Sequence, residues 1–200
     1  MRRRIRFLRE FVRHPQSTGA VTPSSRFLAR RMLRDAAIAP GETVVEYGAG
    51  QGHITHRILE HLAPRPAGPP RRFMAVEINP QFAGALRDRF PGLPVHEGCA
   101  SRVAEFLARE GHDGADVVIS GLPWSVFPEP LQERILEATA RALRPGGRFV
   151  TFAYLHGLPL PAGRRFRRRM EALLGPVETS PVVWRNVPPA VVHRCVRGTG

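Results

Sequence analysis

The hydrophobic and polar positions of this chain follow two alternating periodicities. Short runs of consecutive apolar residues, typical of buried strands, are separated by segments in which apolar residues recur every three or four positions, typical of helices. The predicted strands are residues 43–46, 73–77, 93–97, 115–120 and 148–154, with further candidates near 177–184 and 191–196. The predicted helices are residues 54–62, 80–90, 102–110, 131–143 and 166–174, preceded by one that starts after Pro23 with Ser24 or Ser25 as its cap. This order predicts an α/β fold, a doubly wound and mostly parallel sheet of about seven strands.

The first twenty residues have a different pattern. Between Arg2 and Arg13 the apolar side chains fall on one face of a helix and five of the six arginines on the other, and His14-Pro15 ends it. Such a helix suits an anionic membrane surface, with its apolar face in the headgroup boundary and its arginines on lipid phosphates. The sequence therefore divides into a membrane-binding appendage, residues 1–20, and one domain, residues 21–200.

Composition strengthens the expectation of an anionic partner. All 30 basic residues are arginine and the formal net charge is +13, a balance that favours nucleic acid or an anionic membrane. No apolar run approaches the roughly 20 residues that span a bilayer, and no secretory signal is recognisable. Cys99 and Cys195 predict neither a disulfide framework nor a metal site. We therefore expect a cytoplasmic protein attached to the inner face of the membrane.

A glycine-rich loop follows the first predicted strand and opens a helix. Its sequence is Glu46-Tyr47-Gly48-Ala49-Gly50-Gln51-Gly52, and this context is the one in which such loops bind nucleotide-containing cofactors. Glu77 ends the next strand, where an acidic side chain can accept both hydroxyls of a ribose. The carboxylate of Glu46 would repel a dinucleotide pyrophosphate but suits the ammonium group of a methionine moiety. The loop therefore favours S-adenosylmethionine over NAD.

This arrangement resembles the class I methyltransferases, which have a Rossmann-like fold and in which a segment like Leu143-Arg144-Pro145-Gly146-Gly147 is frequent. The resemblance implies S-adenosylmethionine as the cofactor. The residues it assigns to the cofactor site are Glu46, Gly48, Gly50, Gly52, Glu77, Ile78, Cys99, Ala100 and Ser120. Cys99 departs from the pattern, because the family often has an acid there, near the adenine amino group. We therefore expect adenine to be held mainly by backbone and apolar contacts.

The segment Ser120-Gly121-Leu122-Pro123-Trp124 follows the fourth predicted strand. Amino methyltransferases often carry a polar-x-x-Pro-aromatic element there. Oxygens of Ser120 and Leu122 can accept the hydrogens of an amine and aim its lone pair, while Pro123 fixes the backbone. The ring of Trp124 is expected to pack on the acceptor and to stabilise a methylated, cationic nitrogen. The alternative for Trp124 is an aromatic residue of the core.

Four segments together look like the short bacterial phospholipid N-methyltransferases, which methylate phosphatidylethanolamine towards phosphatidylcholine. They are residues 19–25, 120–123, 152–154 and 185–190. A lipid phosphate needs a cationic partner, and Arg185 is the candidate. Tyr154 and His156 can donate hydrogen bonds to the same phosphate. His156 is also a candidate base for the ammonium proton. The arginine run at 164–169 is a candidate second membrane contact, with a solvated helix face as the alternative.

Two other functions compete with lipid methylation. The chain also resembles the rRNA adenine N6-dimethyltransferases in overall plan, and its positive charge suits RNA. Against this, Ser120 and Trp124 replace the usual Asn-aromatic pair, and we expect no room for a C-terminal helical RNA-binding domain. The third possibility is a non-enzymatic binding module with a vestigial fold, supported only by the missing acid at Cys99. Nucleic acid is thus the less favoured partner.

Overall fold

A seven-stranded mixed sheet forms the centre of the computed structural model, which describes residues 25–62 and 72–198. The strands are β1 (Thr43–Tyr47), β2 (Arg72–Glu77), β3 (Val95–Glu97), β4 (Ala115–Ser120), β5 (Leu143–Tyr154), β6 (Val177–Thr179) and β7 (Ala190–Val196). Their order is β3-β2-β1-β4-β5-β7-β6. The strands from β3 to β5 in this order are parallel, and β7 is antiparallel to both its neighbours. The carboxyl ends of the five parallel strands share one edge, called the carboxyl edge below.

Helices cover both faces of this sheet. They are α1 (Arg26–Ala36), α2 (His53–His61), α3 (Pro80–Arg89), α4 (Val103–Arg109), α5 (Glu129–Ala142) and α6 (Pro161–Leu174). On one face α1 and α2 bury side chains such as Met32 and Ile58, with α3 beside them. On the other face α4, α5 and α6 bury side chains such as Leu136 and Met170. Each large apolar side chain buried in this way stabilises the fold by roughly 1.5–3 kcal/mol relative to its exposure.

The sequence determines where these elements lie. Every residue of β1 is buried, which explains its continuous apolar run, since helices cover both faces of this central strand. The helix α1 begins at Ser25, whose hydroxyl accepts a hydrogen bond from the N–H of Leu28 at 3.2 Å. In α3, Asn79 caps the first turn and Pro80 takes the first helical position, where no N–H is needed.

The predicted fold class and number of strands are confirmed, whereas some boundaries were wrong. The helix predicted from Phe166 begins at Pro161, because proline suits the first helical turn. The strand predicted over 177–184 ends at Thr179, since Pro181 lacks the N–H that a continued ladder requires. The predicted helix at 2–13 lies outside the described residues. In the described part of the chain, no helix has the length and apolar character needed to span a membrane.

Candidate functional site

The loop between β1 and α2 turns sharply at its three glycines. The φ angle is 69° at Gly48, 53° at Gly50 and 80° at Gly52, a region that residues with a Cβ rarely adopt. A Cβ on Gly52 would also lie 2.6 Å from Cε2 of Phe90, and one on Gly48 would lie 2.8 Å from Cδ2 of Leu122. The loop therefore offers a partly exposed backbone at the carboxyl edge, which a ligand can approach closely.

Glu77 ends β2 beside this loop. Its Oε2 accepts a hydrogen bond from the backbone N–H of Gly50 at 2.8 Å, and its Oε1 accepts one from the N–H of Asn79 at 2.8 Å. Burial raises the pKa of this carboxyl above its ordinary value, and the N–H groups of Asn79, Gly50 and Ile78 offset part of that rise. Each oxygen can accept a second hydrogen bond. The carboxylate is therefore held in a fixed orientation with capacity for two further donors, and its role towards the ribose hydroxyls stays a prediction.

Glu46 is fully buried near the end of β1. Its Oε2 accepts a hydrogen bond from the hydroxyl of Thr55 at 2.6 Å. Its Oε1 has no hydrogen-bond partner among the described residues. Burial raises the pKa of Glu46 to about 8, and the nearby charge of Glu77 adds to the rise. A buried oxygen left unpaired costs roughly 1–3 kcal/mol, so this site is suited to a ligand that brings a cationic donor.

The remaining predicted cofactor residues lie where β2 and β3 end. Ile78 is half-buried and directly follows Glu77, whose carbonyl accepts a hydrogen bond from the N–H of Gly98 at 2.9 Å. Cys99 is half-buried, and its Sγ accepts a hydrogen bond from the hydroxyl of Ser101 at 3.2 Å. Ala100 is buried at the start of a short 3₁₀ turn. Since Cys99 stands where the family often has an acid, the expectation that backbone and apolar contacts hold the adenine stays a prediction.

These residues fit S-adenosylmethionine as the cofactor. The glycine loop provides the close approach, Glu77 suits the ribose, and the unpaired oxygen of Glu46 suits the amino group of the methionine moiety. When bound, the cofactor supplies an electrophilic methyl group on a sulfonium centre. The protein then has to hold the acceptor atom in line with the methyl group and its sulfur.

Ser120 takes a structural position instead of facing an acceptor. Its Oγ accepts hydrogen bonds from the indole N–H of Trp124 at 3.1 Å and from the N–H of Leu122 at 3.4 Å. Its carbonyl oxygen accepts one from the hydroxyl of Thr151 at 3.1 Å. The residue is fully buried. The expected role of the Ser120 hydroxyl as an acceptor for the substrate amine is therefore corrected, because its oxygen holds the turn after β4 together. The place of Ser120 beside the cofactor stays a prediction.

The ring of Trp124 belongs to the core. It is 3% exposed, stacks on Phe166 with 4.9 Å between the ring centroids, and meets Phe127 and Phe149 edge-on at 6.0 Å each. The expectation that this ring packs on the acceptor is corrected, because aromatic side chains from α6 and β5 fill the space around it. The alternative, an aromatic residue of the core, describes its position.

The Leu122-Pro123 step remains next to the glycine loop. The N–H of Gly121 donates to the carbonyl of Tyr47 at 2.8 Å, and the side chain of Leu122 packs on Gly48. The carbonyl oxygen of Leu122 accepts the N–H of Trp124 at 3.0 Å and can accept a second donor. Of the predicted acceptor element, the Leu122 side chain and backbone N–H thus lie beside the glycine loop, and the roles of its carbonyl and of Pro123 stay predictions.

Gln132 was missed by the sequence analysis although it fixes this turn. It is buried on α5, and its Nε2 donates to the carbonyls of Trp124 at 2.8 Å and Phe127 at 3.0 Å. Arg169 donates to its Oε1 at 2.6 Å. The only sequence signal was a polar residue among the apolar positions of α5, a pattern that equally fits an exposed side chain.

Tyr154 and His156 lie together at the carboxyl end of β5. Their rings are parallel, with 5.8 Å between centroids, and burial raises the pKa of the half-buried Tyr154. Arg185 lies on the neighbouring β6–β7 connection, with its guanidinium 4.8 Å from the ring centroid of Phe27 on α1. The structure thus brings Tyr154 and His156 together and places Arg185 against α1.

The arginine run on α6 is not a uniformly free cationic face. Arg165 and Arg169 pair with Glu129, at 2.6 and 3.0 Å, and Arg167 pairs with Glu171 at 3.0 Å. Three of the five arginines thus have carboxylate partners within the domain, which reduces the charge available to a second membrane contact.

Comparison with known proteins identifies the family. Residues 45–149 match the family described as Methyltransferase domain. The ornithine lipid N-methyltransferase of Singulisphaera acidiphila is 32% identical over 94% of this chain and 93% of its own length. The ribosomal RNA small subunit methyltransferase A of Thermotoga petrophila is 32% identical over 60% of this chain and 41% of its own length.

Solved structures agree on the fold. A precorrin-6y C5,15-methyltransferase from Geobacter metallireducens has a TM-score of 0.65 at 18% identity, covering 89% of this chain and 90% of its own. Magnesium protoporphyrin IX methyltransferase from Synechocystis, solved with bound S-adenosylmethionine, has a TM-score of 0.60 at 12% identity, covering 96% and 84%. Taken with the glycine loop and its two carboxylates, these matches show that the chain is a class I S-adenosylmethionine-dependent methyltransferase of the family that includes the lipid N-methyltransferase of Singulisphaera.

Proposed function

We propose that this enzyme methylates the amino headgroup of a membrane lipid, phosphatidylethanolamine or an ornithine lipid, at the inner face of the membrane. One observation carries the proposal: the similarity to the Singulisphaera enzyme extends over 94% of the chain. It therefore includes α1 and the region after residue 149, beyond the matched methyltransferase domain. The region after residue 149 carries Tyr154, His156 and Arg185, the residues that we assign to the headgroup.

The similarity to RNA methyltransferases supports an RNA substrate less well than the Singulisphaera enzyme supports a lipid substrate. The Thermotoga enzyme matches 60% of this chain, so the likeness leaves a large part of the chain without a counterpart. The Asn-aromatic pair of the adenine dimethyltransferases is also absent, since Ser120 and Trp124 stand there and both are turned into the core.

The residues at the carboxyl edge can divide the work on an aminolipid. The carbonyl of Leu122 accepts an amine hydrogen and so orients the lone pair, with Pro123 limiting the movement of the turn. We assign to Arg185 the binding of the acidic group of the headgroup, and Tyr154 with His156 can donate further hydrogen bonds to that group. The exposed imidazole of His156 is the candidate acceptor for the proton that the ammonium form has to lose.

A direct assay tests the substrate class. The full chain is incubated with labelled S-adenosylmethionine and anionic vesicles that contain phosphatidylethanolamine, ornithine lipid or neither, and separately with ribosomal RNA. We expect label in one of the two aminolipids and none in RNA. Labelled RNA without labelled lipid, from protein that binds the cofactor, would overturn the proposal.

A matched pair of variants tests Arg185. Arg185→Ala should raise the KM for lipid by roughly tenfold, because a charge-assisted hydrogen bond contributes about 1.5–3 kcal/mol. Arg141→Ala is the control, since Arg141 is 71% exposed at the end of α5, where the chain returns to the opposite edge of the sheet. Equal kinetics of the two variants would remove Arg185 from the headgroup site.

A further inference from the structure

The exposed large apolar residues of the described chain share one edge. Four such side chains are exposed among residues 25–62 and 72–198: Val126, Leu160, Trp184 and Val187. Val126 follows β4, Leu160 follows β5, and Trp184 and Val187 lie between β6 and β7. Since Tyr154 at the end of β5 pairs with Ala190 at the start of β7, that last connection also lies at the carboxyl edge. Single exposed apolar residues are ordinary on a protein surface, but their restriction to one edge is not.

The two most exposed of these residues sit on a fixed loop. Trp184 is 69% exposed and Val187 is 76% exposed, while Asn186 between them is buried. The Oδ1 of Asn186 accepts the N–H of Ser25 at 3.0 Å, and its Nδ2 donates to the carbonyl of Pro188 at 2.7 Å. With Asn186 held inward, the side chains of Trp184 and Val187 point out of the domain. We call residues 184–187 the tip loop.

Two arginines, one within the tip loop and one on α1, flank the ring of Phe27. The guanidinium groups of Arg185 and Arg26 lie 4.8 and 4.9 Å from the ring centroid of Phe27. Neither arginine has a carboxylate partner in the described part of the chain, unlike the paired arginines of α6. Apolar side chains next to unpaired guanidinium groups match a bilayer surface that presents acyl chains below anionic headgroups.

We propose that the tip loop inserts Trp184 and Val187 into the interface of an anionic phospholipid bilayer. A tryptophan ring is amphipathic and favours the depth of the headgroups, and valine adds apolar area below it. Arg185 and Arg26 then meet phosphates at the same depth. Because the glycine loop and the Leu122 carbonyl open at the same edge, this contact turns the active site towards the membrane. The inference extends the proposed function, which requires access to a lipid headgroup.

Tryptophan fluorescence tests the insertion. The chain has two tryptophans, and Trp124 is buried in the core, so a change on vesicle binding reports Trp184. Vesicles of phosphatidylglycerol and phosphatidylcholine, with brominated acyl chains and without any aminolipid, serve as the probe. We expect a blue shift and quenching in the wild type, and neither in Trp184→Phe. Bound wild-type protein whose emission is not quenched would overturn the proposal.

Affinity for the same vesicles gives a second readout. Trp184→Ala with Val187→Ser should weaken vesicle binding at least about tenfold, the effect of losing one or two buried apolar side chains. Trp184→Phe should stay within a few-fold of the wild type because it keeps an aromatic ring. Melting temperature and cofactor affinity should not change, since both side chains are exposed. Unchanged vesicle binding of the double variant, or loss of binding to labelled RNA instead, would overturn the proposal.

These measurements separate the two proposals. Vesicle binding and quenching use membranes that contain no amine acceptor, so they do not depend on methyl transfer. If the enzyme inserts Trp184 but methylates neither aminolipid, the tip loop proposal stands and the proposed substrate is wrong. If the enzyme methylates a lipid without quenching, the substrate stands and the insertion is wrong.

Discussion

Two buried carboxyls at the same site differ in how they are satisfied. Both oxygens of Glu77 accept backbone N–H groups, whereas one oxygen of Glu46 has no partner among the described residues. Burial raises the pKa of Glu46 to about 8, so the cofactor-free protein carries a proton there at neutral pH. A cationic amine placed against Glu46 favours the charged form. Cofactor binding should therefore release a proton.

The stability of the cofactor-free enzyme should depend on pH through Glu46. The ordinary value is 4.5 and the folded value is about 8, so between these values the folded state holds a proton that the unfolded state has lost. The free energy of unfolding therefore falls as pH rises from about 4.5 to about 8. In Glu46→Gln this component should disappear, as measured by urea denaturation across that range. Parallel pH profiles of the two proteins would contradict the assignment.

Glu46→Gln should also weaken the binding of S-adenosylmethionine. A hydrogen bond to a charged group contributes about 1.5–3 kcal/mol, so we expect a loss of at least about tenfold in calorimetry at pH 8. Thr55→Val is a useful control, because it removes only the hydroxyl that donates to Oε2 and leaves the carboxyl in place. An affinity of Glu46→Gln equal to that of the wild type would exclude Glu46 from the cofactor site.

The glycines of the chain provide a matched pair for testing the loop. Gly52→Ala places a Cβ at a φ of 80° and 2.6 Å from Phe90, so it should destabilise the protein by about 1–2 kcal/mol or more and weaken cofactor binding. Gly84→Ala, inside α3 with no atom within 4 Å of the new Cβ, should stabilise the protein by about 0.5–1 kcal/mol. Thermal melting and calorimetry measure both. Equal shifts in the two variants would contradict this account.

At the scale of the elements, much of the fold could be predicted because it depends on local patterns. Continuous apolar runs located β1 and β4, and the glycine loop located the cofactor edge. The direction of a side chain after a strand depends on distant partners and could not be predicted. Trp124 turned inward because Phe166 on α6 packs on it. Asn186 was passed over in favour of Arg185, since its inward orientation depends on Ser25, which is 161 positions away.

The turn after β4 should depend on the amide of Gln132. Gln132→Glu keeps an oxygen for Arg169 but loses the N–H donors that serve the carbonyls of Trp124 and Phe127. We expect a loss of about 1–3 kcal/mol in the free energy of unfolding, because two buried carbonyls lose their donor. Urea denaturation measures it, with the exposed Glu133→Gln of the same helix as the control. If both variants unfold alike, Gln132 does not hold the turn.

At the scale of the whole molecule, the membrane contacts and the cofactor site should be separable. Deleting residues 1–13 removes six arginines and one acid, a net charge of +5, and should weaken binding to anionic vesicles strongly, at about 1 kcal/mol per basic residue at the surface. Cofactor affinity should stay within a few-fold, because the residues that we assign to the cofactor lie on β1, β2, β3, β4 and the loops after them. Sedimentation with vesicles and calorimetry measure the two. Equal losses would show that residues 1–13 belong to the cofactor site.

The direction of β7 has a practical consequence. Because β7 is antiparallel to β5, its last residue, Val196, pairs with Arg148, and the next residue, Arg197, exchanges hydrogen bonds with Gly146 and Gly147 in the first half of β5. The chain therefore leaves the sheet at the edge opposite the tip loop and the glycine loop. A biotin or affinity handle attached to the chain beyond β7 would hold the enzyme on a sensor chip with its catalytic edge outward. Vesicles flowing across such a chip would reach the catalytic edge first. On an affinity bead, the same handle would leave that edge uncovered.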